Sequence, residues 1–199
     1  MATHEHRSAE DGVADPVTVG PDAVGTFRGF GVDVPVGLSA RAHGEPDVRM
    51  PLPALVAGWL RARAGADEVT VRLVPSDATG EACRAVGRRL AAAERDGEPC
   101  GLLVLGDGSF RHGERAPGRP DGRAEGFDQR VRAALAAADP AALRALDARL
   151  ATELGAVGWA AWQVLAGVLE ATGTGWRCVS CEMMVPFGVA YHLAVLDPE

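Results

Sequence analysis

The chain has 199 residues, of which 47% are hydrophobic and 24% are charged, a balance typical of one globular domain. Its formal net charge of -7, without a basic patch interleaved with aromatic residues, argues against nucleic acid as a partner. No apolar run approaches the roughly 18 residues of a transmembrane helix, so the sequence predicts no membrane partner either.

Residues 1–15 are poor in large apolar side chains and end at Pro16, so we predict a flexible N-terminal tail. This segment also lacks the apolar core of a secretory signal, which predicts a cytoplasmic protein. The four cysteines are therefore expected to be reduced thiols.

The first half of the folded region predicts strands that alternate with helices. Val17–Val19 is a strand candidate, "FRGFGVDVPVGL" is extended, and "EVTVRLV" is a further strand. Between them, "PLPALVAGWLRARAG" has helical apolar spacing, with Gly65 suited to the C-terminal cap.

The second half predicts a helix that Thr79 caps and Gly97 ends, followed by a buried strand, "CGLLVLG". A long Gly- and Pro-rich loop follows, and then helices over about 125–137, 140–154 and 158–171. The stretches "GWRCVSCEMMV" and "FGVAYHLAVL" predict strands at the end of the chain.

This order of elements favours an α/β fold: one layered domain over residues 16–199, with a mixed, mostly parallel sheet covered by helices on both faces. In such sheets, ligands bind beyond the carboxyl ends of the strands. The turn "GDGSFRH" places Asp107, Ser109 and His112 at such an end, and Gly106 and Gly108 permit tight turning there. A histidine at this position suits acid/base catalysis, although a solvated surface histidine is an equally good interpretation of this stretch alone.

Cys178 and Cys181 form a CxxC pair without the second pair that a zinc site needs. Positions three apart on a regular strand point to opposite faces. We therefore expect two separate, buried thiols.

Three stretches together resemble a known family: "LLVLGDGSFRHGERAPGRPDGRAEGFDQRVRAALAAADPAAL", "GWAAWQVLAGVLEA" and "VPFGVAYHLAVL". They are similar to the class III extradiol ring-cleavage dioxygenases of the protocatechuate 4,5-dioxygenase beta-subunit type (the LigB-like superfamily), in particular its branch of small bacterial proteins. The turn "GDGSFRHG" also resembles that of the related Memo-like proteins.

The resemblance implies a ferrous ion, Fe(II), held by two histidines and a carboxylate, with open positions for a catechol and dioxygen. It implies that His112 is the acid/base, with Asp107 orienting nearby groups and with Ser109 and Arg115 binding substrate. Glu182 is the candidate for the metal carboxylate.

Neither metal histidine of the family has a counterpart in this sequence, because the first would lie in a strand preceding "PVTVG" and the second near Asp22. The function predicted from the resemblance is thus ring cleavage of a catechol-type aromatic, with a degenerate metal site. The alternative is a metal-free binding or subunit-like protein whose partner is a small aromatic molecule or another protein, and which could form homo-oligomers. Two further interpretations are that His4 and His6 complete the site, or that the natural chain begins earlier and carries the missing strand.

Overall fold

The computed structural model describes residues 16–94 and 101–199, and these residues fall into two compact units. The smaller unit comprises residues 16–75 and 101–105, and the larger unit comprises residues 76–94 and 106–199. The predicted tail, residues 1–15, lies outside the described residues.

The smaller unit contains two short antiparallel strand pairs and one helix. β1 (Val17–Val19) pairs with β4 (Val71–Leu73), and β2 (Val24–Thr26) pairs with β3 (Pro35–Gly37). A 3-10 helix, Phe27–Phe30, connects β2 to β3 and replaces part of the predicted extended stretch.

The helix of the smaller unit, α1 (Leu52–Ala64), is confirmed where the apolar spacing predicts it. It ends at Gly65, whose φ of 70° is the left-handed conformation that glycine adopts most easily. Leu55 faces inward and packs with Leu38 and Met50 in a small apolar core.

The larger unit holds five helices and a hairpin among its described residues. They are α2 (Gly80–Glu94), α3 (Arg123–Ala136), α4 (Pro140–Arg144), α5 (Ala148–Leu154), α6 (Trp159–Ala171), β5 (Trp176–Met184) and β6 (Tyr191–Pro198).

The helix-start signals of the larger unit are confirmed. The Thr79 hydroxyl accepts from Ala82 N at 3.2 Å at the start of α2, and Pro140 opens α4 directly after the capping residue Asp139. The predicted single helix over 140–154 is wrong, because the chain bends after Arg144 and Asp147 caps a separate helix, α5.

Helix α6 crosses α2 at backbone contact distance. A Cβ on Gly167 would lie 2.8 Å from the Cα of Arg84, and one on Gly87 would lie 2.8 Å from Val168 N. Helix α6 also packs against α3, where Trp162 contacts Phe127 in the core of this unit.

The hairpin of β5 and β6 is antiparallel and carries an irregularity. The register shifts between Cys178 and Ser180, so that one extra residue of β5 is accommodated there as a β-bulge. The inner face of the hairpin packs on the core of the larger unit through Trp176, Cys181 and Leu196.

The predicted mostly parallel sheet is wrong. All the strands in the described part of the chain belong to two-stranded antiparallel pairs. The predicted central strand is the clearest failure: residues 101–106 carry no strand pairing, and Leu103 is 53% exposed. An apolar run forms a strand only where another segment of backbone pairs with its N–H and C=O groups. The sequence of the run itself does not show whether such a segment lies beside it.

Within residues 16–94 and 101–199, none of the helices has both the length and the apolar character needed to cross a bilayer.

Candidate acid/base site

Two histidines of the larger unit that are far apart in sequence meet at one carboxylate. His112 of the loop before α3 places its Nε2 atom 2.7 Å from Oδ2 of Asp128. His192 of β6 places its Nε2 atom 2.9 Å from Oδ1 of the same residue. Asp128 itself, on the inner face of α3, is fully buried. We call His112, Asp128 and His192 the His-Asp-His cluster.

The loop that carries His112 is fixed by backbone hydrogen bonds to the far end of the hairpin. Gly108 N donates to Ala190 O at 3.0 Å, Ala190 N donates to Ser109 O at 2.9 Å, and His112 N donates to Gly188 O at 3.1 Å. The loop therefore holds its position without belonging to a sheet.

Gly108 has a specific reason to be glycine. A Cβ at this position would lie 2.6 Å from Oδ1 of Asp128 and 2.8 Å from the side chain of Ala190. The absent side chain lets the loop backbone approach the buried carboxylate.

Ser109, the next residue of the loop, supports the carboxylate through its backbone amide. Its backbone N lies 3.2 Å from Oδ2 and 3.4 Å from Oδ1 of Asp128. Its hydroxyl donates to Leu154 O at 2.9 Å and accepts from Arg111 N at 3.1 Å. Because Ser109 is fully buried and its hydrogen bonds are internal, it positions the site and is not placed to touch substrate.

The hydrogen bonds of Asp128 select the tautomer of both imidazoles. An ionised carboxylate only accepts, so each Nε2 atom carries the proton and each neutral ring keeps a lone pair on Nδ1. Taking both Nε2–H groups and the amide of Ser109 together, Asp128 accepts from three donors, as a buried charge requires.

The two histidines differ in their access to solvent. The His112 side chain is 12% exposed, whereas that of His192 is 2% exposed and lies edge-on to Trp162 at a ring separation of 5.7 Å. Nδ1 of His192 is buried and has no hydrogen-bond partner in the described residues. His112 is therefore the member of the cluster that can exchange a proton with a molecule outside the core.

Two other predicted site residues, Asp107 and Arg115, are exposed residues of the same loop region. The backbone carbonyl of Asp107 accepts from Gly158 N at 2.9 Å, and its residue surface is exposed. Local desolvation nevertheless raises the pKa of the Asp107 carboxyl above its ordinary value. Arg115 is exposed on the loop, so neither residue is shown in contact with the cluster.

Glu182 does not suit the metal role predicted for it. On β5 it follows Cys181, which packs on the core, and the alternation of a strand turns Glu182 to the exposed face. The part of the chain that the structure describes contains no group of three His, Cys, Asp or Glu side chains able to hold a metal ion. Both Nε2 atoms of the cluster are engaged by Asp128, so the described residues do not fit the ferrous site that the family resemblance implies.

Sequence reasoning found His112 but placed neither Asp128 nor His192 in the site. A signal for Asp128 does exist in the sequence. It occupies the apolar stripe of α3, which is formed by Ala124, Phe127, Val131 and Leu135. An aspartate on a buried stripe is rare unless it is paired, so the position itself predicts a partner.

Comparison of the chain with protein-family models, with curated proteins and with the solved structures gave no match. The resemblance to extradiol dioxygenases therefore stays a prediction, and the geometry of the cluster is the firmer basis for a function.

Proposed function

We propose that the protein is an extradiol dioxygenase-like acid/base protein, in which Nδ1 of His112 takes the proton of a phenolic small molecule and Asp128 orients the imidazole. The observation that carries this proposal is the 2.7 Å hydrogen bond from Nε2 of His112 to a fully buried carboxylate. His192 and Ser109 are positioning residues in it, because they act on Asp128.

The arrangement supports proton transfer for a physical reason. When His112 takes a proton at Nδ1, the ring becomes positively charged, and the ionised Asp128 beside it stabilises that charge. The hydrogen bond also prevents rotation of the ring, so the free nitrogen keeps one direction. A catechol hydroxyl is a suitable donor, since its oxygen becomes the anion that ring-cleaving chemistry requires.

We derive no ring-opening step, because the described residues do not supply the ligands for iron. His4 and His6, which could add ligands, lie outside the described residues. The exposed position of Glu182 favours a second candidate function, a metal-free protein that binds a phenolic molecule without cleaving it. His112 has the same role in both candidate functions. They differ in whether the bound phenolic molecule is converted to a product.

One experiment separates these functions. The full chain is loaded anaerobically with ferrous iron and assayed for ring cleavage of protocatechuate, and catechol binding is measured in parallel by calorimetry. The test variant is His112→Gln, which cannot take up a proton. The matched control is His43→Gln, since His43 is exposed in the smaller unit.

If cleavage occurs and only His112→Gln abolishes it, the enzymatic form of the proposal is supported. Binding without cleavage, weakened by His112→Gln alone, supports the binding form. Unchanged cleavage or binding in His112→Gln would refute the role of His112, and the absence of both activities in the wild type would refute the proposal as a whole.

A further inference from the structure

The bulge in β5 changes which faces its two cysteines occupy. Cys178 lies opposite Leu196 and Cys181 lies opposite Ala194, although Cys178 and Cys181 are three residues apart. Leu196 and Ala194 are two apart on β6 and share its inner face. The expectation that the two thiols point to opposite faces is therefore wrong, because the extra residue at the bulge restores them to one face.

Burial along β5 shows the same shift. Half-buried and exposed residues alternate from Trp176 to Val179, two exposed residues follow each other at Val179 and Ser180, and the alternation then resumes at Cys181. Both cysteines are half-buried. Cys181 packs against the core of the larger unit, and both thiols are still partly exposed to solvent.

Each of the two thiols has a backbone oxygen nearby. The Cys178 thiol donates to Ser180 O at 3.1 Å, across the bulge. The Cys181 thiol lies 3.6 Å from Arg132 O of α3. Burial is the main cause that raises the pKa of Cys181, and the adjacent Cys178 thiol raises that pKa further.

The spacing of the backbone is compatible with a bond between them. Their partners Leu196 and Ala194 are two residues apart on β6, a span of about 6.6 Å, and disulfides join Cα atoms about 4.4 to 6.8 Å apart. A closed bridge is therefore within reach but not relaxed, and such bridges are readily reduced again.

We propose that Cys178 and Cys181 form a reversible dithiol–disulfide site that reacts with small-molecule disulfides such as oxidised glutathione. The Cys178 thiol loses its proton and its sulfur attacks oxidised glutathione, so the glutathione S–S bond breaks and one reduced glutathione leaves with that proton. The Cys181 sulfur then attacks the mixed disulfide at Cys178, loses its own proton and releases the second reduced glutathione. The pair gives up two electrons, and one glutathione disulfide becomes two thiols.

This inference is carried by β5 itself and does not depend on the proposed role of His112. The sequence also makes it easy to test. The chain has no lysine and its last arginine is Arg177, so trypsin releases residues 178–199 as one peptide with both cysteines and no others.

The folded full chain is equilibrated with graded ratios of reduced and oxidised glutathione, quenched with acid, alkylated and digested. The expected product is a peptide two hydrogens lighter than the dithiol and free of alkyl groups. In Cys181→Ser, we expect glutathione to remain attached to Cys178. The matched control Cys83→Ser, which removes a fully buried thiol in α2, should leave the titration of the peptide unchanged.

The same titration in urea measures what the bulge contributes. We expect the equilibrium constant for closing the disulfide to be at least several-fold larger in the folded chain. An equal or smaller constant in the folded chain, glutathione on both cysteines, or a dithiol that persists in excess oxidised glutathione would each overturn the inference. Circular dichroism of Cys181→Ser establishes that the variant is folded, and Cys181→Ala repeats the test should the serine variant unfold.

Discussion

Replacing Asp128 with asparagine tests the link between the buried carboxylate and the free nitrogen of His112. Asparagine has nearly the same shape, but one carboxylate oxygen becomes an NH₂ group, which can only donate. One of the two imidazoles must then accept through Nε2 and carry its proton on Nδ1. We expect His112 to be the ring that switches, because its side chain is 12% exposed, whereas Nδ1 of His192 is buried and has no partner in the described residues.

The magnitude follows from the hydrogen bonds that change. In the wild type, two Nε2–H groups and the amide of Ser109 are donors to one buried charge, and hydrogen bonds to charged groups contribute about 1.5 to 3 kcal/mol each. Asp128→Asn removes the charge and places the NH₂ group at the Oδ2 position that faces His112, so the amide of Ser109 keeps only its 3.4 Å hydrogen bond to Oδ1. We therefore expect a loss of about 2 to 4 kcal/mol in the free energy of unfolding.

Two measurements check this reasoning. Long-range ¹⁵N correlation spectra of the imidazoles report which nitrogen carries the proton, and urea unfolding reports stability. The control is Asp139→Asn, because asparagine caps a helix about as well as aspartate and that residue is only half-buried at the start of α4. The argument fails if His112 keeps its proton on Nε2 in Asp128→Asn, or if the two variants are equally stable.

Two further predictions concern the His112 loop and the pH dependence of stability. Gly188→Ala should destabilise the chain by about 2 to 5 kcal/mol, because its φ is 79° and a Cβ would lie 2.7 Å from His112 O. The control Gly173→Ala, with φ 68° and open space around the Cβ, should lose only about 1 to 2 kcal/mol in urea unfolding. Equal losses in the two variants would contradict the packing argument. The pKa of Asp107 is raised, so this carboxyl holds its proton more tightly in the folded chain, and its contribution to stability declines as pH rises from the ordinary value of 3.8 through the folded pKa. Asp107→Asn should remove that decline. A hydrogen-bonded arginine lowers the pKa of Asp33, so the contribution of Asp33 to stability is lost as pH falls below 3.8, and Asp33→Asn should remove this opposite trend. Unfolding free energies measured between pH 3 and pH 6 (a range of about one to two units around that value) would show whether the two trends have opposite signs.

Local signals in the sequence predicted the helices well, because a helix satisfies its own backbone. Gly65 ends α1 and Thr79 begins α2, since both effects involve only residues within one turn. Strands need a partner elsewhere in the chain. The run from Leu102 to Leu105 has the composition of a buried strand, yet without such a partner it is an irregular segment, and the expected parallel sheet fails at this point.

The site was predictable to the extent that its residues break a local pattern. His112 follows two glycines at the end of an apolar run, and this was enough to single it out. Asp128 breaks the apolar stripe of α3 just as clearly, but only the folded chain shows that His112 and His192 are the donors it requires. An aspartate on an apolar helix stripe indicates that hydrogen-bond donors to its carboxylate lie elsewhere in the chain. A histidine after a tight turn indicates a ring N–H that is available to donate. Taken together, the aspartate on the apolar stripe and the histidine after the turn each indicate a partner for the other. Their hydrogen bond is what orients the imidazole as a base.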